Sequence, residues 1–178
     1  GCMDGYQLLH SLGDRIIPTR PALVPLCTNK ISISGLSGLR LHCMITVRSG
    51  ARIIHKEKGE VLFTDYGISG ICAMQCARFI ESGSIIELNT MDGIYADPAS
   101  FRCDLDRRRD LLSSLPAECL LDGILHRRIA FAVMKQAGIS LRGETCSELT
   151  DDDLKRIADT SFHYCMTITG DRGMEYAQ

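Results

Sequence analysis

Residues 41–48 alternate without a break. Leu41, Cys43, Ile45 and Val47 fall on one side, and His42, Met44, Thr46 and Arg48 fall on the other. A period of two predicts a strand with one face buried. Ser49-Gly50 then predicts a two-residue turn into a second strand, Ala51 to Lys58, so the pair reads as a hairpin. Gly59 is expected to lead into a third strand, Glu60 to Thr64, followed by a turn, Asp65-Tyr66-Gly67-Ile68. Ser69-Gly70 then opens an amphipathic helix to about Ile80, and Ser82-Gly83 turns the chain into a strand from Ser84 to Asn89. Upstream, Asp4 and Gln7 have the spacing of a capping box, with Gly13 closing a short helix. Pro18, Pro21 and Pro25 confine Arg15 to Ile17 and Ala22 to Cys27 to edge strands or extended loops. Ser34 to Gly38 reads as a flexible turn.

At Asp97 the pattern changes to helix. Asp97-Pro98 supplies a cap and a first-turn proline for a helix to about Ser114. Pro116 is expected to start a second helix running to about Gln136, with Gly138 as its stop. Its later turns, Ile129 to Met134, are apolar nearly all round and therefore predict burial. Thr150 and Asp153 predict a capped third helix ending near Phe162, and three acids in its first turn complement the helix dipole. Tyr164 to Thr169 alternates as a strand returning to the first half. The expected fold class is α+β. Residues 1–96 and 164–178 form a mostly antiparallel β subdomain with one prominent helix, and 97–163 form a helical one.

The 178 residues suffice for one large domain or two small subdomains. A formal net charge of −2 argues against a general nucleic-acid binder. No apolar run reaches the roughly 18 residues of a membrane span. Gly1-Cys2-Met3-Asp4 has no basic, apolar leader pattern. The nine scattered cysteines therefore read as reduced thiols in a cytoplasm. Position 1 is not Met, and Met174 to Gln178 resembles the start of an unfinished strand, so a piece of a longer protein is expected.

Chemical motifs are sparse. There is no GxGxxG after a strand, no P-loop and no HExxH, and Gly35-x-x-Gly38 lacks the helix a phosphate loop needs. Cys72 and Cys76 lie one turn apart, but no second ligand pair accompanies them, so they read as packing thiols and no metal is expected. Five histidines sit on separate elements. The basic runs Arg107-Arg108-Arg109 and His126-Arg127-Arg128 read as solvated faces offset by nearby acids. The helix start at Ser69-Gly70 offers free amides suited to an anion or a polar cofactor edge. Arg20 and Arg172 sit in Pro- and Gly-defined turns, where side chains are presented outward.

Several segments in order resemble one family. They are Asp4-Gly5-Tyr6, Leu12-Gly13, Ile17-Pro18, Pro21 to Leu26, Gly35 to Gly38, Phe63 to Gly70 and Thr167 to Gly170. Over nearly its whole length the chain is similar to the aminoacetone oxidase (BaiN-like) family of NAD(P)/FAD-dependent oxidoreductases. The resemblance implies an insert domain: a distorted antiparallel β-barrel plus a small helical bundle, set into a split FAD-binding domain of the same polypeptide. It implies FAD in the parent, none bound to the isolated chain, and a small-molecule substrate. Thr64, Gly67, Ser69 and Gly70 would then face cofactor or substrate, with Arg20 and Arg172 as anion or substrate contacts. The family's usual Thr-His is Thr64-Asp65 here, and its following proline is Ile71, so no histidine role carries over. The chain alone is not expected to catalyse. The competing reading is a stand-alone nucleic-acid or protein interaction module, with the two basic runs as its footprint.

Overall fold

A computed structural model describes residues 3–81 and 83–178, so Gly1, Cys2 and the Ser82 of the expected turn lie outside the described residues. Six strands close into a barrel: β1 (Leu26–Thr28), β2 (Arg40–Ser49), β3 (Arg52–Phe63), β4 (Gly67–Ser69), β5 (Ile85–Asn89) and β6 (Tyr164–Asp171). Their order around the barrel is β1-β4-β3-β2-β5-β6, and every neighbouring pair is antiparallel. Closure pairs each strand with two neighbours, but β3 meets β4 only at Leu62 and Phe63, so its stretch 52–61 has β2 as its one strand partner among the described residues.

The alternation in β2 does what a half-buried strand requires. Cys43, Ile45 and Val47 are buried and meet Val61, Phe63, Ile86, Leu88, Met166 and Ile168 in the same core, while His42 is exposed. The hairpin forms one residue later than expected. Ser49 pairs with Arg52, so Gly50-Ala51 makes the turn, with Gly50 at φ 57. Gly59 does not divide two strands. It lies inside the continuous β3 because Cys72 packs over it, and a Cβ there would stand 3.0 Å from the Cβ of Cys72.

Among the described residues, six α-helices complete the fold: α1 (Asp4–Ser11), α2 (Lys30–Ile33), α3 (Ile71–Cys76), α4 (Pro98–Leu111), α5 (Arg127–Gln136) and α6 (Asp151–Phe162). In α1 the cap position is Met3, whose side chain makes no cap hydrogen bond, and Asp4 is already helical, so the expected Asp4 cap is not the one that forms. The caps of α4 and α6 form as read, with reciprocal Asp97–Ser100 and Thr150–Asp153 bonds. The expected helix from Pro116 is instead a 3-10 turn at Ala117–Cys119, then looser turns through Gly123 (φ 80). The chain becomes α-helical only after His126, whose ring accepts a bond from the Arg128 amide. Ile129, Ala130, Val133 and Met134 are buried, but Phe131 points outward, so α5 is not apolar all round.

The helices α4–α6 dock through a core continuous with the barrel's. Thr90 donates to the Ser161 carbonyl at 2.8 Å, joining the end of β5 to α6. Gln136 pairs through both amide atoms with the backbone of Cys165, tying α5 to β6. The Gly35–Gly38 turn is held rather than loose: Leu36 is buried, and Arg128 donates to the Gly35 carbonyl at 3.0 Å. Residues 174–176 form a 3-10 turn rather than a strand.

Candidate functional site

The segment Thr64 to Gly70 is wedged against the barrel wall. The Thr64 amide donates to the Gly67 carbonyl at 2.9 Å, and the Gly67 amide donates to the Thr64 hydroxyl at 3.1 Å. Gly67 then pairs with Cys27 in β1, so close that a Cβ would stand 2.0 Å from the Leu26 carbonyl oxygen. Ser69 ends β4, pairing with Leu62, and does not cap α3. Gly70 holds that cap position at φ 99, and its hypothetical Cβ would lie 2.4 Å from the Glu60 carbonyl oxygen. Gly70 lines a cleft of about 370 Å³ with Lys58, Gln75 and the ion pair Arg40–Glu60.

Arg172 and Arg20 lie elsewhere, on the rim where β1 begins and β6 ends. The Arg172 guanidinium lies 4.6 Å from the ring centre of Tyr66 and 4.2 Å from that of Tyr176, and its amide donates to Pro25. Arg20 lines a second cleft, of about 420 Å³, with Arg78, Ile80 and Asp171. The structure thus brings Arg172 to the Thr64–Gly70 turn through Tyr66, and sets Arg20 beside Arg78, while Gly70 faces a separate hollow. Tyr66, Arg78 and Tyr176 were not singled out from the sequence. Their one signal was aromatic and basic residues next to glycine turns.

The thiols of α3 are core groups. Cys72 donates to the Glu60 carbonyl at 3.1 Å, and burial raises its pKa. Burial pushes the Cys76 thiol up to about 12, and that of Cys43 is raised further. This outweighs any thiolate-favouring effect of the nearby helix start. Among the described residues no His, Cys, Asp and Glu cluster could hold a metal ion, and none of the helices is long and apolar enough to cross a membrane.

A closed antiparallel barrel with a helical unit between its fifth and sixth strands defines an α+β barrel domain, not a parallel-sheet dinucleotide-binding fold. The chain belongs to the HI0933-like protein barrel and H2TH domain family, whose model matches residues 20–178, in agreement with the oxidoreductase resemblance read from the sequence motifs. It is similar to a 3-dehydro-bile acid delta(4,6)-reductase of Clostridium scindens, 35% identical over 44% of this chain and 19% of the relative. A ribosomal RNA dihydrouridine synthase of Haemophilus influenzae is 24% identical over 98% of this chain and 41% of its own length. A second ribosomal RNA dihydrouridine synthase, from Escherichia coli, is 27% identical over 51% of this chain and 22% of its length. The chain therefore spans less than half the length of these curated relatives.

Proposed function

We propose that this chain is the insert domain of a flavin-dependent, NAD(P)H-linked reductase, lying over the flavin and shaping the substrate cavity without catalysing alone. The observation that carries the reading is the pairing of residues 23–25 with the segment after β6. Arg172 donates to Pro25 at 3.1 Å, and Gln178 donates to Leu23 at 2.9 Å. The chain therefore enters and leaves the barrel side by side, as a segment set into a host domain must. Helix α1 supports the same reading. It buries none of its residues, and Leu8, Leu9, Leu12 and the nearby Ile17 are exposed, an apolar surface suited to a host.

In this reading the domain has two parts, 1–96 with 164–178 and 97–163, and the rim of Arg20, Arg78 and Arg172 faces the host. These guanidiniums and the Tyr66 ring fit the edge of an anionic group such as a pyrophosphate or carboxylate. They do not form a dinucleotide cradle, so the host supplies the main flavin contacts. FAD would supply hydride transfer, and this chain's residues would orient substrate and exclude water. Free thiols at all eight described cysteines support a reducing, cytoplasmic setting. The full-length gene product should purify with stoichiometric flavin that NAD(P)H bleaches anaerobically, while this chain alone stays colourless. Flavin-free full-length protein, or a yellow isolated chain, would sink the reading.

An RNA substrate is the second reading, in place of a small molecule. It is favoured by the similarity to a ribosomal RNA dihydrouridine synthase, which runs along nearly the whole chain.

A further inference from the structure

We infer that the outer face of α5, centred on Phe131, binds single-stranded RNA. The inference deepens the second reading above and rests on it for RNA rather than DNA. Phe131 is 47% exposed in the middle of a helix whose opposite face is fully packed. Three adjoining hollows, of about 190, 360 and 620 Å³, share this ring as a wall. A flat aromatic face flanked by open space is the platform on which an unpaired base stacks.

The charged residues lining these three hollows are all cations. Arg127 and Arg128 lie one turn before Phe131 and Lys135 one turn after, which places all four on one helical face. Arg142 lines the same hollow as Phe131 and Lys135. No acidic residue occurs in 127–142, nor in the facing segment 30–37. Among the described residues only Arg127 of these four cations has an acidic partner, Glu118 at 2.7 Å. Arg128 binds the Gly35 carbonyl, which fixes its position.

Such a face needs polyanion charge and an accessible base together. A single strand provides both, whereas a duplex keeps its bases stacked. The overall charge of −2 does not oppose this, because acids collect elsewhere, as in Asp151-Asp152-Asp153 at the start of α6.

The test is fluorescence anisotropy of the full-length gene product with a labelled single-stranded RNA of about 12 nucleotides. The wild type should bind at physiological salt. Phe131→Ala and Phe131→Leu should weaken binding about 5- to 100-fold, and Phe131→Tyr should preserve it. Lys135→Gln with Arg142→Gln should lower the slope of log affinity against log salt by about 1.4. Arg52→Gln, on the far hairpin, should change neither. The idea is overturned by no RNA binding, by unchanged binding when Phe131 or the Lys135–Arg142 pair is replaced, or by equal affinity for single-stranded DNA of the same sequence. It is likewise overturned if Phe131→Ala abolishes only self-association, which would make the face a protein contact. Binding is read without flavin or turnover, so failure here leaves the reductase reading standing.

Discussion

The α-carbon of Gly70 faces the carbonyl oxygen of Glu60 so closely that a methyl group at position 70 would sit 2.4 Å from it. The oxygen belongs to β3, which pairs with β2 at Glu60, and it also accepts from the Cys72 thiol at 3.1 Å, so a retreat would strain both contacts. Gly70→Ala should therefore cost about 1–3 kcal/mol for the φ of 99 alone, with the contact adding to it. Gly35→Ala, at φ 79 with open space around it, should cost only about 1–2 kcal/mol. Urea midpoints of the two variants check this, and equal losses would show that the strand yields.

Arg172 is predicted to hold the 174–176 turn by stacking on Tyr176 and to fix the Tyr66 turn by its other face. Arg172→Ala should lower stability by about 1–2 kcal/mol, counting two partly exposed cation–π contacts. Cleavage after Met174 or Tyr176 in limited proteolysis should quicken, and Arg172→Lys should restore part of the protection.

The Thr150 hydroxyl accepts from the Asp153 amide at 3.2 Å, and the Asp153 carboxylate accepts from the Thr150 amide at 2.8 Å. Thr150→Ala should destabilise by about 1 kcal/mol and Thr150→Ser by less, read from thermal melts.

Three aspartates are held below the usual range: Asp104 by Arg107 and then Tyr95, Asp106 by Arg102, and Asp153 chiefly by the Thr150 hydroxyl. A lowered folded-state pKa gives stability that is fully present above the unfolded value, about 3.9, and disappears as pH falls through the folded one. Urea midpoints should stay flat from about pH 7 to about pH 5 and drop below about pH 4.

Cys103 is exposed, whereas Cys43, Cys72 and Cys76 are buried with raised pKa values. Alkylation at neutral pH followed by peptide mapping should label Cys103 early. Cys76 should be labelled only at the rate of unfolding. Early labelling of Cys72 would revive a redox role for it.

What was legible in the sequence was local. The caps at Asp97 and Thr150 involve residues three apart, and the β2 alternation is set by one strand's own faces. Both emerged as read. The three-residue strands β1 and β4 carry no periodicity, and their partners are distant in the chain, so barrel closure came only from the family resemblance. Ser69 looked like a cap because a strand so short resembles a turn. The spacing of Ala117, Leu120 and Leu121 suits a helix, but Gly123 and the His126 cap reset the chain. Four of the six candidate site residues belong to the Thr64–Gly70 turn itself, and of the two arginines only Arg172 was brought to it. Its aromatic clamp joins residues far apart in sequence, which no local pattern could show.

The adjacency of Leu23 and Gln178 has an evolutionary consequence. Hydrogen-bonded extended segments lie about 5 Å apart, a gap that one or two residues bridge. Excising everything between them would let a host chain reseal almost undisturbed, and grafting the unit back would strain it no more. If the chain is set into a host in this way, substitutions in α4–α6 can accumulate while the Leu23–Gln178 junction stays unchanged.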